Sequence, residues 1–134
     1  MVHDRSMVPT LLPGDRLLVD PHAYRERLPS VGDLVVLVDP EDPARWLVKR
    51  VAGVGLQAFW KTRTGLAPTI PSAAPSIPPP EAVETIVLAD QAVYVTGDAS
   101  GPARDSRQFG PVRLDSLVGR VYRCYAPIER RRNF

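Results

Sequence analysis

The run Asp33-Leu34-Val35-Val36-Leu37-Val38 constrains this chain more than any other stretch. Its consecutive apolar residues, three of them β-branched valines, leave no polar face for water. At this length such a run forms a strand buried on both sides rather than an amphipathic helix. A doubly buried strand needs neighbours on both edges, and the chain supplies further strand patterns. Arg16 to Asp20 is a short strand, and Trp46 to Ala52 alternates with period 2. That alternation puts Leu47, Lys49 and Val51 on one face and Val48, Arg50 and Ala52 on the other. Gln57 to Lys61 begins another strand, Glu84 to Ala89 and Ala92 to Thr96 read as a strand pair around Asp90-Gln91, and Leu117 to Tyr125 is the last. Between them Pro21 to Gly32, Asp39 to Pro43 and Asp98 to Pro111 read as loops. No long amphipathic helix is patterned anywhere. The expected fold is therefore mainly β, a coiled or closed antiparallel sheet that hides its strand edges. At 134 residues it makes a single domain over 1–134. Six prolines between Ala67 and Pro80 exclude a helix or central strand there, so an extended Pro-rich insertion is expected at about residues 66–81.

Composition narrows the function. An apolar content of 44% suits a folded globular chain, and net charge +2 with a pI near 9.0 is mildly basic. The positive excess lies in Arg130-Arg131-Arg132, with Arg120 and Arg123 upstream. It reads as a solvated tail, with peripheral contact to anionic lipid head groups as the alternative. No recognition helix or aromatic-basic module points to nucleic acid. Cys124 is the only cysteine, which excludes an internal disulfide and a cysteine-based metal cluster. It alternates with Tyr122 and reads as an inert buried thiol. With His3 and His22 the only histidines, a histidine-dependent triad is not expected, and no metal or cofactor is implied. No run of 18 apolar residues is present, so no helix of membrane-spanning length is expected.

The candidate for chemistry is Ser6-Met7-Val8-Pro9-Thr10-Leu11-Leu12-Pro13-Gly14-Asp15. Its prolines fix φ and remove backbone donors, so the segment is a stiff loop leading into the Arg16 strand. A serine at such a corner can be held in one orientation. Without a histidine its proton must go to another base. A lysine serves if its ammonium is desolvated, since burial disfavours the charged form. Bringing a lysine from about 10.4 to near 7–8 takes ~3 units, or ~4 kcal/mol of differential solvation. Of the two lysines, Lys49 lies between Leu47 and Val51 in an apolar run, whereas Lys61 lies near a strand end in a polar stretch.

Three stretches in register carry a family resemblance: Ser6-Met7-Val8-Pro9-Thr10-Leu11; Lys49-Arg50-Val51-Ala52-Gly53; and Gly97-Asp98 followed by Asp105-Ser106-Arg107-Gln108-Phe109-Gly110-Pro111-Val112. They resemble the boxes of type I signal peptidases, a family that includes the mitochondrial inner-membrane peptidases and the nickel superoxide dismutase maturation proteases. The resemblance runs from about residue 4 to 123, leaving out the Pro-rich middle. It implies a mostly β catalytic core with a variable insertion after the lysine strand. It also implies a serine endopeptidase with Ser6 as nucleophile and Lys49 as general base, acting on a precursor protein or peptide. The Ser6 N–H would be an oxyanion donor, Asp105 and Arg107 a structural ion pair, and Gly97, Asp98, Phe109 and Gly110 backbone and packing positions. Met7 would line the substrate groove, with core filling as its other role.

The chain also departs from that pattern. Asp4 stands where the family has Ser or Gly; an ionised carboxylate cannot donate, and it favours a charged Lys49. Ala99 replaces Asn, and Ala103 replaces a hydroxyl that touches the base, with Ser100 and Ser106 as substitutes. The family usually carries an anchor ahead of the serine box, which leaves two expectations: a soluble cytoplasmic member, or a longer chain held at the extracytoplasmic face of a membrane. Beside the signal peptidase reading stand a nickel superoxide dismutase-type propeptide protease and a non-catalytic peptide-binding relic. A self-cleaving repressor would need a cleavable arm ahead of Ser6.

Overall fold

The computed structural model describes residues 1–55, 58–62, 65–68, 82–100 and 104–134, with residues 58–62, 65–68 and 82–87 traced as backbone strands only. The strands are β1 (Arg16–Asp20), β2 (Leu34–Asp39), β3 (Asp42–Val54), β4 (Ala58–Thr62), β5 (Gly65–Pro68), β6 (Ala82–Val87), β7 (Ala92–Thr96), β8 (Val112–Arg113), β9 (Leu117–Ala126) and β10 (Arg132–Asn133). One short helix, α1 (Ser106–Phe109), precedes β8. The larger sheet runs β1-β9-β2-β3-β7-β8, with β10 also on β9, and every pairing in it is antiparallel. A second sheet runs β5-β4-β6.

The mainly-β expectation holds, but the sheet is not closed. Among the described residues no ladder joins β1 to β8. Closure is not needed to protect the edges. One end strand is only two residues long, and a very short edge strand offers little for another chain to pair with. β2 is buried on both faces as its sequence requires. Val35 and Leu37 join Leu47, Val51, Val93, Val95 and Val112 in one core, while Leu34 and Val36 join Val2, Met7, Leu11 and Val121 in the other. The Asp39–Pro43 loop is shorter than expected, because β3 starts at Asp42 and folds back directly on β2.

Another expectation is corrected. The stretches around Asp90-Gln91 do not form a hairpin, since β6 pairs with β4 and β7 pairs with β3 and β8. Their apolar patterns define strands but not partners. Of the insertion expected at 66–81, residues 66–68 belong to the edge strand Gly65–Pro68 of the second sheet, with Pro68 opposite Phe59. An edge position tolerates proline because one side of the strand needs no ladder donor. Residues 69–81 lie outside the described residues. The C-terminal arginines are not a free tail either. Arg130 donates to the buried Asp15 through Nε (2.7 Å) and Nη2 (3.0 Å), and Arg132 donates to the Thr10 carbonyl. Cys124 is buried beside the exposed Tyr122, as the alternation predicts.

Candidate active site

The serine segment folds as a series of turns, with Val8 N–H donating to the Arg5 carbonyl (3.2 Å) and Leu11 N–H to that of Met7 (2.9 Å). Met7 and Leu11 point into the second core and fasten the loop to the sheet. The Val8–Pro9 peptide bond is cis. The turn at Asp98 and Ala99 fixes the loop through two contacts. Ala99 N–H donates to the Ser6 carbonyl (2.9 Å), and Thr10 Oγ1 donates to Asp98 Oδ2 (2.6 Å). Asp98 in turn accepts from Arg50 Nε (2.9 Å) and Nη2 (2.8 Å), while Arg50 Nη1 donates to the Gly32 carbonyl. Gly97 is needed because a Cβ there would lie 2.6 Å from the Ser6 carbonyl oxygen. The Gly97-Asp98-Ala99 turn is thus the latch of the serine loop.

Lys49 lies on the buried face of β3, 1% exposed, between Leu47 and Val51 and opposite Val35. Burial pushes its ammonium below the ordinary lysine range. The charges of Asp4 and Asp105 pull it back up in part, and those of Arg107 and Arg45 push it down again. The two carboxylates act on it as charges, and among the described residues Lys49 has no ion-pair partner. Asp105 is committed elsewhere. It accepts from Gly97 N–H (2.8 Å), caps α1 through Arg107 N–H (3.0 Å) and pairs with Arg107 Nη2 (2.6 Å). Burial raises its carboxyl, but these hydrogen bonds outweigh that and hold it below the usual range. The Asp105–Arg107 pair expected from the sequence is therefore present, and it props the glycine that backs Ser6. Gly110 ends α1 at φ +81°, and Phe109 packs on the first core.

Ser6 and Lys49 line one cavity of about 670 Å³, together with Asp4, Arg45, Leu47 and Ser100. A second cavity, about 590 Å³ and more apolar, includes Met7, Val36, Trp46 and Val48. Leu47 and Lys49 point to one face of β3 and Trp46 and Val48 to the other, so the cavities lie on opposite faces. They meet at the edge of β3, where Asp4, Ser6 and Arg45 line both. That edge is open. β7 pairs with β3 only from Arg50 onward, and among the described residues the preceding stretch pairs on its β2 side alone.

Met7 is buried in the second core and also lines the second cavity. Ser106 Oγ accepts from Val95 N–H (2.9 Å). Ser100 lines the cavity, His3 is exposed in the second cavity, and Ala103 lies outside the described residues. Asp4 bears directly on the serine: its Oδ1 accepts from Ser6 N–H (3.0 Å), and its Oδ2 lies 3.7 Å from Arg45. Thr10, Arg50 and Arg130 hold the serine loop and were not legible as such. Each acts across more than 40 residues of sequence, and only the adjacency of Arg50 to Lys49 hinted at a role.

The family profile described as "Signal peptidase, peptidase S26" matches residues 1–59. Curated relatives include the mitochondrial ATP-independent inner membrane protease subunits 1b and 1a of Arabidopsis thaliana. Subunit 1b is 38% identical over 87% of this chain and 62% of the relative, and subunit 1a is 32% identical over 90% and 65%. A probable signal peptidase I-1 of Synechocystis is 27% identical over 93% of this chain and 69% of its own length. The chain thus spans a little under two thirds of the two Arabidopsis relatives. Among the described residues no helix is long and apolar enough to cross a membrane.

Proposed function

The chain belongs to the signal peptidase family, peptidase S26, and from that premise we propose that it is a serine endopeptidase that cuts leader segments from precursor proteins with Ser6 as nucleophile and Lys49 as base. The observation that carries the reading is Lys49, buried, without an ion-pair partner among the described residues, and lining the same cavity as Ser6. As a structural residue such a lysine is a net cost, because hydrocarbon of equal volume would stabilise the site more. As a base it is suited to the task, since burial lowers its proton affinity toward neutrality.

The peptide adds as a strand to the open edge of β3 near Arg45 and Leu47, which runs past Ser6. Neutral Lys49 takes the hydroxyl proton as Ser6 Oγ bonds to the scissile carbonyl carbon, and the Ser6 N–H receives the developing oxyanion. The C–N bond then breaks, with the lysine proton passing to the leaving amine. Water, deprotonated by Lys49, next attacks the acyl carbon; the ester bond breaks, and the proton returns to Ser6. Asp105, Arg107, Gly97 and Asp98 serve to position the serine loop. Membrane association, by likeness to relatives named as inner membrane proteases, is part of the proposal.

The test is cleavage of a panel of Ala-X-Ala signal peptides and a nickel superoxide dismutase propeptide in detergent. Wild type is compared with Ser6→Ala and Lys49→Ala. Cleavage that vanishes in both variants supports the dyad, and the preferred peptide names the substrate class. Cleavage that persists in either variant overturns the dyad, and a folded wild type that cuts nothing overturns the peptidase reading in favour of a peptide-binding relic.

A further inference from the structure

The N–H that an acyl-transfer serine offers to the oxyanion is already engaged in this molecule. Ser6 N–H donates to Asp4 Oδ1 at 3.0 Å. Asp4 and Ser6 both line the two cavities that meet at the edge of β3, so the carboxylate lies where the two halves of a bound peptide would join. A carboxylate on this donor stands in for the carboxylate of a cleaved product. We propose that Asp4 is a built-in occupant of the oxyanion site, and that a peptide binds productively only when its carbonyl displaces the Asp4 carboxylate from the Ser6 N–H. This rests on the serine peptidase reading above.

The surroundings give the carboxylate somewhere to go. Asp4 and Arg45 side chains are each about half exposed, and they lie 3.7 Å apart, near enough to hold the carboxylate after a small rotation. Charge works in the same direction as occlusion. Lys49 is faced by Asp4 and Asp105, which favour its ammonium form, and by Arg107 and Arg45, which oppose it. While Asp4 stays on Ser6, the donor is filled and the base is biased toward the protonated state. Burial raises the Asp4 carboxyl, but hydrogen bonds from the Ser6 N–H and hydroxyl and the charges of Lys49 and Arg45 outweigh that, leaving it ionised at neutral pH.

Two substitutions separate occlusion from charge. Asp4→Ala removes both the acceptor and the charge, whereas Asp4→Asn removes the charge but keeps an oxygen that can accept from Ser6 N–H. The assay is the rate of Ser6 phosphonylation by a fluorophosphonate, followed by intact mass. In that step Ser6 Oγ bonds to phosphorus, fluoride leaves, the hydroxyl proton passes to Lys49, and the P=O oxygen needs the same donor as a peptide carbonyl. Asp4→Ala should react at least about ten-fold faster than wild type, within the ~10²–10³ that one such donor contributes, with Asp4→Asn well behind it. Both variants should carry the acid limb of the pH–rate profile to lower pH. Equal rates in Asp4→Ala and Asp4→Asn would reduce Asp4 to a charge effect and overturn the proposal, as would an Asp4→Ala no faster than wild type. Labelling that survives Ser6→Ala would instead sink the serine reading, whatever the Asp4 variants do.

Discussion

Gly97→Ala tests whether the latch behind Ser6 sets catalysis. A Cβ at this position would stand 2.6 Å from the Ser6 carbonyl oxygen and 3.5 Å from Ser6 Cβ, where real contacts rarely fall below 3.0 Å. The oxygen is backbone, already fixed by Ala99 N–H at 2.9 Å, and Gly97 is tied by its own N–H to Asp105. Neither side can yield by a rotamer change, so the strand end and the serine loop must separate by about 0.4 Å or more. Overpacking of this kind costs about 1–3 kcal/mol. A 1 Å misplacement of a reacting group costs ~10²-fold, so a shift near 0.4 Å predicts a loss of roughly ten-fold in turnover. Urea denaturation gives the first number, and cleavage kinetics on the same protein give the second. The loss should fall on kcat more than on KM, because the peptide-binding edge of β3 is untouched. Wild-type turnover in a variant destabilised as predicted would show that the latch braces the fold without setting the serine. An unchanged urea midpoint would refute the steric argument itself.

Lys49→Met keeps the buried volume and should abolish cleavage while leaving the fold as stable as wild type or more so. Burial holds the folded-state pKa of Lys49 below its ordinary 10.5, so the unfolded chain binds the extra proton between those two values. The stability gain of Lys49→Met should therefore be full below the folded-state pKa and shrink as pH rises toward 10.5, which urea midpoints across pH would read. Asp98→Ala removes the acceptor shared by Arg50 and Thr10. It should cost about 1–3 kcal/mol by urea denaturation and slow cleavage in proportion to the freedom it gives the loop. In acid, burial raises the carboxyls of Asp15, Asp98 and Asp105, but their hydrogen bonds, led by those from Arg130, Arg50 and Arg107, hold all three below 3.8. Their contribution should be complete above that value and lost as pH falls through the depressed folded-state values, so circular dichroism should show acid unfolding well below pH 3.8.

What the sequence disclosed followed physical range. β1 is legible to the residue, and β2, β3 and β9 to within a few, because each is set by its own apolar pattern. The faces of β3 follow from period 2 alone, so the burial of Lys49 could be expected from Leu47 and Val51 beside it. Pairing is another matter: nothing in Glu84–Ala89 distinguishes β7 from β4 as its partner, and the apparent hairpin dissolves in the structure. Polar partners were the least legible. Arg130 to Asp15, Thr10 to Asp98 and Arg104 to the buried Asp39 join side chains that carry no local pattern. The Asp4 departure was visible in the sequence as a lost donor, but that its carboxylate takes the Ser6 N–H depends on a turn geometry that residue types do not specify.

One strand register ties base and nucleophile together. In β3, Lys49 lies opposite Val35 and Arg50 opposite Leu34. The first of these residues buries an amine beside the cavity, and the second reaches Asp98, which holds the serine loop at Thr10. A slip of one residue would exchange their faces, placing a guanidinium in the core and an ammonium at the latch. Arg50 buried there could not serve as base, since its pKa stays far above neutrality, and Lys49 could not supply the two-pronged grip on Asp98. The alternation of β3 itself opposes the slip, since it buries Leu47 and Val51 on the Lys49 face in the first core and leaves Val48, Arg50 and Ala52 partly exposed on the other. The same apolar alternation that anchors β3 in the core therefore also keeps the lysine facing the cavity it shares with the serine.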